Sequence, residues 1–502
     1  MRVRIQKFFL SASVLAVIAP AVVSQQIWDI YTTKWDRTNL FRSLKPASPI
    51  NFSTPGPIGQ AHLNIDDATV YQQMVGFGGS LTDSAALTLN NLKSSNGGAY
   101  WDLLYRMFDA NDNAEGAGLS FIRLPIGASD FSGSEYSWND NAGDTSASRL
   151  TITAPGFVMS VLNDIKTVNP NMKLFLVPWS PPGWMKTGGG GGMKGGTIQS
   201  QYVGNYHNYL HRAVAAIRNA GFNVYAVSVQ NEPEHADNSY PTCTMSASQY
   251  ATIGNNLKNT LNSNGLGSVK VLAYEHNWDH AAEYPVQVLR QAPNLDGAAF
   301  HCYAGNVANQ DAFHNAFPNK EVHFTECTGT IGSDWWSDVK WYMDTLFIGS
   351  VQHWSSSAGM WNIAVDPNGN PKFPGTSSCG NGCRGIVQIS GGGYQLNQEF
   401  WAMAQAQKAI NPKDPGGPFG QRIKLDVSGG QGWALRANAF VTRRTSASEW
   451  QRYSIVVLNW NDGSSSGWNP QPVTTTIRFR GQQATVTFDV GVTTLWWYAP
   501  PR

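Results

Sequence analysis

"VYAVSVQNEP", residues 224–233, opens with five residues of alternating bulk and runs on into an amide, Asn231, a carboxylate, Glu232, and a proline. Proline fixes its own φ and supplies no backbone donor, so the strand-like run ends there. Glu232 therefore stands at a strand end, either as a capping group or as a reagent. Working outward, seven more apolar runs have the same form: "QMVGFGGS" (73–80), "LSFIRLPIG" (119–127), "KLFLVPWS" (173–180), "VKVLAYEHN" (269–277), "AAFHCYAG" (298–305), "EVHFTECTG" (321–329) and "AGMWNIAVD" (358–366). Amphipathic helical candidates lie between them, such as 201–221, which stops at Gly221, and 248–265. Eight strand–helix units in about 340 residues predict an α/β fold, a closed (β/α)8 TIM barrel over 66–410. A doubly wound open sheet is the competitor, but "GFGGS" lacks the spacing of a dinucleotide turn.

Beyond Ile410 the texture changes. "NPKDPGGPFG" (411–420) is a linker by composition, and the rest alternates in short strand-like runs such as 474–480. These predict an appended all-β sandwich over 411–502. Residues 25–65 have no helical period and are expected to add a strand to it, so that both chain ends lock one module to the barrel. The loop "TGGGGGMKGG" (187–196) has no Gly-Lys-Ser/Thr ending and reads as a flexible loop beside the third strand, not a phosphate loop.

Residues 1–24 have a basic start (Arg2, Arg4, Lys7), an apolar stretch and then small residues. That is the pattern of a secretory signal, with cleavage after Ser24, or after Ala21 on the Ala-Pro-Ala reading. The apolar stretch is short for a membrane span. A secreted, extracellular protein with no membrane anchor is expected. The 35 Lys and Arg almost balance 34 Asp and Glu, which argues against nucleic acid, whose binding needs clustered positive charge. Only 14% of residues are charged while 12% are aromatic, a surface suited to a neutral, hydroxyl-rich ligand. Of five cysteines, Cys379 and Cys383 are close enough to staple one loop, and Cys302 and Cys327 inside apolar runs read as buried thiols. The spacing fits no zinc pattern, and neither a metal nor another cofactor is expected.

In a parallel barrel, reactive groups collect at the carboxyl ends of the strands. Those ends carry Arg123 and Asp130, Trp179, Asn231 and Glu232, Glu275, His301 and Tyr303, Glu326, and Trp361. Glu232 and Glu326 close the fourth and seventh strands, nearly across the barrel mouth from one another. Two carboxyl groups over one cleft are what glycosidic bond cleavage requires: one protonates the leaving oxygen, and the other attacks the anomeric carbon or activates water. A strand-end Glu is more often a cap or half of an ion pair, and Glu275, Glu234, Asp83 and Asp130 are competing candidates. The company of Asn231, Tyr303 and Arg123 favours Glu232 and Glu326. The amide can hold a sugar hydroxyl, and the phenol and the cation can face Glu326. His301 is equally well read as a core histidine.

Taken together, "GFGGSLTDSAA", "RLPIGASDFS", "PWSPPGWMK", "VQNEP", "HCYAG" and "FTECTG" resemble, in order and spacing, glycoside hydrolase family 30, a family of retaining barrel hydrolases distantly related to glucocerebrosidase. "AYEHNWD", "EVHFTECTGTIGSDWWSD" and "VTTLWWYAP" look most like its fungal endo-β-1,6-glucanase branch. The resemblance implies Glu232 as acid/base and Glu326 as nucleophile. Asn231 would sit on the sugar 2-hydroxyl, Tyr303 would orient Glu326, and Arg123, Asp130, Trp179, His301 and Trp361 would line the subsite. It implies a monomer acting on β-1,6-glucan, a fungal wall polymer, as polysaccharide partner. A β-1,6-galactanase, xylanase or glucosylceramidase of the same family is the alternative within the class. A non-catalytic carbohydrate-binding wall protein is the alternative outside it.

Overall fold

The computed structural model describes residues 25–502 apart from Asn113 and Asn381, so the expected signal at 1–24 lies outside the described residues. All eight apolar runs form barrel strands: β1 Gly76–Ser80, β2 Phe121–Pro125, β3 Lys173–Val177, β4 Val224–Ser228, β5 Lys270–Asn277, β6 Gly297–His301, β7 Glu321–Glu326 and β8 Ser355–Met360. They close a ring in sequence order, each strand parallel to its neighbours. The amino-terminal half of the barrel is filled by Val75, Phe121, Phe175, Ala226, Leu272 and Ala299, with Phe121 edge-on to Phe175 at 4.5 Å between centroids. Close approach to Phe121 explains two glycines. A Cβ on Gly78 would lie 1.8 Å from the Phe121 carbonyl oxygen, and one on Gly359 would lie 2.6 Å from the Phe121 ring.

The helices follow local signals. Ala247–Ser263 starts in a capping box in which Ser246 accepts from the Gln249 amide and the Gln249 side chain accepts from Ser246. Tyr206–Asn219 stops before Gly221, whose φ of +87° is the left-handed turn glycine favours.

The second module is a single nine-stranded sheet. Its order is Leu40–Ser43, Ile27–Lys34, Gly491–Ala499, Gln451–Asn459, Leu435–Thr442, Gln421–Ser428, Ala61–Gln73, Val473–Phe479 and Gln482–Phe488. The amino-terminal segment thus supplies three strands, where the composition of residues 25–65 suggested one. Phe479 and Trp497 are five strands apart in that order, yet their rings meet at 5.3 Å. The sheet therefore folds over on itself as a sandwich around Leu63, Ile423, Tyr453, Ile455, Ile477 and Leu495.

The buried helix Gln398–Ile410 wedges between this sheet and the barrel. Gln407 accepts from the Phe77 amide of β1 at 2.7 Å, while Ser454 and Thr494 of the sheet donate to the carbonyls of Ala409 and Gln405. The module is docked, not tethered. The segment 411–420 is likewise held, Asp414 accepting from Arg444 and from the Thr445 amide.

Two sequence expectations change. The Gly-rich segment 187–196 is an anchored hairpin, not a free loop. Its flanks pair as Lys186–Thr187 with Thr197–Ile198, Glu135 accepts from the Met193 amide at 2.6 Å, and Lys186 donates to the carbonyls of Met193 and Thr242. Cys302 and Cys327 are not thiols but a disulfide with Cα atoms 5.3 Å apart. They follow His301 and Glu326, which are register partners on β6 and β7, so the two cysteines leave the barrel side by side. Cys379 and Cys383 pair as expected, and Cys243 is a buried free thiol.

Candidate active site

At the carboxyl end of the barrel lies a cavity of about 300 Å³, walled by Asp130, Trp179, Asn231, Glu232, Tyr303, Glu326 and Trp361 among others. Seven of the nine residues expected at the site line it. An oxygen of Glu232, an oxygen of Glu326 and a ring nitrogen of His301 all lie within 4.8 Å of one another. These three are also the one group of acids and histidines among the described residues close enough to share a metal ion.

Each carboxylate is aimed by a local departure from regular strand. β4 ends at Ser228, and the chain crosses to the β3 end, where the Asn231 amide donates to the Pro178 carbonyl at 2.8 Å. Glu232 then takes a φ of +45°, and its amide donates to the Glu275 carbonyl at 2.9 Å. A non-glycine residue in that region is uncommon and is held by its surroundings. On β7 the register slips between Phe324 and Glu326, so that Glu326 comes opposite His301. On β5 it slips between Tyr274 and His276, and Tyr274 and Glu275 have φ of +80° and +52°. Such bulges re-aim a side chain. This one turns Glu275 into the barrel.

Behind the two cavity carboxylates is a buried charge network. Arg123, fully buried on β2, donates to Glu326 through Nη1 and to Asn231 Oδ1 (2.5 Å) and Glu275 Oε2 (3.1 Å) through Nη2. Its guanidinium also lies 4.8 Å from the Trp179 ring centre. His301, also fully buried, spans Glu232 Oε1 at 3.0 Å and Glu275 Oε2 at 3.2 Å. Glu275 accepts further from Ser228 Oγ and Thr325 Oγ1, each at 2.7 Å. The structure thus corrects the place expected for Arg123 and His301. They do not wall the cavity but support its carboxylates from behind, because the β2 and β6 side chains point into the barrel below the rim. Glu275 was a competing candidate acid and is instead the anionic centre of this network. Of the other competitors, Glu234 is engaged elsewhere with His280 at 3.0 Å and Asp83 with Tyr136 at 2.9 Å, while Asp130 lines the cavity itself.

The groups facing the cavity fit a hydroxylated ligand. Tyr303, half exposed at the rim, donates to Glu326 Oε1 at 2.9 Å. Asn231 Oδ1 is taken by Arg123, which leaves its Nδ2 for a ligand. Asp130 is 5% exposed, accepts from Ser378 Oγ at 2.5 Å, and keeps a buried Oδ1 without a partner. Trp179 and Trp361 stack with ring centres 4.9 Å apart and form an apolar wall. The far wall was not found from the sequence: Tyr240, Ser378 and the Cys379–Cys383 loop come from segments with no strand-end signal, and Thr328, two residues past Glu326 in the seventh run, was not singled out. Only the paired cysteines marked that loop as shaped.

The network's charges set its protonation. Burial pulls His301 down, but the charge of Glu326 and the hydrogen bonds to Glu232 and Glu275 push it up to about 9, so it is a cation at neutral pH. Burial pushes Glu232 up, and the hydrogen bond and charge of His301 outweigh it, holding it at about 2. Glu275 is driven well below the usual range, because Arg123 and its hydrogen-bond donors, His301 and Ser228 among them, overcome its burial. Asp130, with burial dominant, is pushed up to about 7.

The family model for the glycosyl hydrolase family 30 TIM-barrel domain matches residues 74–378, which include every cavity residue named above except Cys379 and Cys383. The endo-1,6-beta-D-glucanase neg1 of Aspergillus fumigatus is 33% identical over 390 residues, covering 73% of this chain and 77% of that one. The endo-1,6-beta-D-glucanase BGN16.3 of Trichoderma harzianum is 31% identical, with 72% and 75% covered. Among solved structures, the endo-beta1,6-glucanase BT3312 superposes with a TM-score of 0.77 at 24% identity, over 94% of this chain and 99% of its own, a likeness of fold. A closed barrel, paired strand-end carboxylates and a family match across the catalytic face lead to one conclusion: this chain belongs to glycosyl hydrolase family 30.

Proposed function

We propose that the protein is a retaining glycoside hydrolase that cleaves β-1,6-linked glucan, with Glu326 as nucleophile and Glu232 as acid/base. One observation carries this reading: oxygens of the two carboxylates lie within 4.8 Å across the cavity. Retaining enzymes keep the pair about 5–5.5 Å apart, whereas inverting ones need a wider gap for water. The relatives named endo-1,6-beta-D-glucanase support the choice of linkage.

The roles divide by hydrogen bonding. Glu326 accepts from both Arg123 and Tyr303, which suits a carboxylate that must stay a bare acceptor until it attacks. Glu232 accepts from His301 alone and is the more exposed of the two, its side chain 17% against 8%. Arg123 and His301 set two basic groups against the three carboxyl groups of Glu232, Glu275 and Glu326, one acid more than base. A single proton balances it, and Glu232 is where solvent and substrate can deliver one. A sugar in the cavity expels water from Glu232, which strengthens the burial that favours its neutral acid form.

The first step then forms the bond from Glu326 to the anomeric carbon as the glycosidic C–O bond breaks, the Glu232 proton going to the departing 6-oxygen. In the second step water, losing a proton to Glu232, displaces Glu326 and restores the starting state. Asn231 Nδ2 and Asp130 Oδ1 are placed to meet sugar hydroxyls during both.

For location, we infer export from the leader-like residues 1–24. No helix among the described residues is long and apolar enough to cross a membrane. The test of function is incubation with pustulan, a linear β-1,6-glucan. New reducing ends are expected, and Glu326→Gln should lose turnover while keeping polymer binding. Glu232→Ala should be rescued in part by azide on a substrate whose leaving group needs no acid. Release only from arabinogalactan or xylan would overturn the linkage, and binding with no hydrolysis would overturn the enzyme.

A further inference from the structure

The seam between the barrel and the folded sheet holds a second cavity, of about 420 Å³, with four tryptophans, Trp35, Trp335, Trp336 and Trp468, in its walls. It shares no lining residue with the catalytic cavity. The two inner rings are structural. Trp335 Nε1 donates to the Trp35 carbonyl at 3.0 Å, and Trp336 Nε1 donates to Asp462 Oδ2 at 2.8 Å. The outer two differ. Trp468 is 48% exposed, meets Trp35 edge-on at 4.7 Å, and neither indole N–H has an acceptor among the described residues.

The outer pair rests on a fixed support. Asp462, six residues before Trp468, accepts from Lys340 of the helix Trp335–Trp341 at 2.6 Å, and its carbonyl accepts from the Asn469 amide at 2.8 Å. The loop that presents Trp468 is thus bolted to the barrel. On the other side the Arg37 guanidinium sits 4.7 Å over Trp335. Exposed Asp36, Asp334 and Ser464 edge the cavity. Acids and bases alternate there, so no single charge dominates. Indole faces beside hydroxyl-binding acceptors and donors match the alternating apolar and hydroxyl faces of a sugar.

We propose that this seam is a second carbohydrate site, which holds a neutral glucan chain on Trp468 and Trp35 while the catalytic cavity acts elsewhere on the polymer. The identity of the chain as β-1,6-glucan rests on the function proposed above; the site itself rests on the seam geometry. Anchoring the polymer raises its local concentration at the catalytic cavity, as a second linked module does.

The test uses the full chain with Glu326→Gln, so that polymer is bound but not cut, in affinity electrophoresis through gels containing pustulan. Adding Trp468→Ala and Trp35→Ala is expected to weaken retardation at least about fivefold. In the unblocked enzyme the same pair should lower the rate on polymer at dilute substrate and leave a β-1,6-linked disaccharide within about twofold. An unaltered melting temperature separates lost binding from lost fold for Trp468→Ala, whose ring is about half in solvent. Unchanged retardation in both single variants and the double variant would overturn the site. If the unmutated enzyme does not cut pustulan, the functional reading fails, and the same gels are run with the polymer it does cut, where unchanged retardation again overturns the site.

Discussion

Glu275→Gln changes one atom at the centre of the buried network and should separate positioning from simple packing. Glu275 is 1% exposed and accepts from Arg123, His301, Ser228 and Thr325. Glutamine keeps the shape but removes the charge and points an amide at a ring of donors. Removing one partner of a buried pair typically costs about 3–5 kcal/mol, so urea unfolding at pH 6 should show a loss of that order. The sharper prediction concerns pH. His301 is pushed up to about 9 in the fold, from an ordinary value of 6.5. A raised value means stability that is complete below about 6.5 and is lost as pH rises through about 9, worth about 3 kcal/mol in all. Glu275 is one of three groups that hold the proton on His301; Glu326 and Glu232 are the others. In the variant the alkaline loss should therefore shrink to about 1–2 kcal/mol over the same window. With the imidazole less firmly held against Glu232, kcat/KM should fall about 100-fold, equivalent to about 2.7 kcal/mol of barrier. Urea midpoints at pH 6 and pH 9 for both proteins, with rates alongside, decide the matter. A variant whose stability falls between those pH values as steeply as the parent's would refute the coupling of Glu275 to His301.

Tyr303→Phe removes the 2.9 Å hydrogen bond to Glu326 and should cut kcat by about 10- to 100-fold with little change in melting temperature, since the ring is already half exposed. An unchanged kcat in steady-state assays would show that Arg123 alone orients the nucleophile. Replacing Cys302 and Cys327 together by alanine opens a closed loop of 25-residue separation, at a cost of about 3.5 kcal/mol by chain entropy. Denaturant unfolding checks this. The loss should appear as lower stability with a retained pH profile, because neither sulfur touches a carboxylate of the site.

Much of this architecture was legible because it is local. Each barrel strand is a short apolar run closed by a loop, and a parallel barrel turns the carboxyl ends of all its strands to one face. Chain direction alone therefore brought Glu232, Glu326, Asn231, Tyr303, Trp179 and Trp361 to a common rim, whatever the details of packing. The alternating runs after residue 420 likewise announced a sheet. What the linear chain left open depends on how distant segments meet. Glu275 became the hub of the network because a bulge with two positive φ angles turns its side chain inward, and no glycine marks the place. Cys302 met Cys327 because a register slip set His301 opposite Glu326, and composition had favoured two thiols. Arg123 and His301 sit behind the carboxylates and not around the sugar, a matter of depth along strands β2 and β6 that residue type does not encode. Strand character and strand direction follow from neighbours in sequence; the depth, aim and protonation of a buried charge follow from everything packed around it, and only the folded chain supplies that.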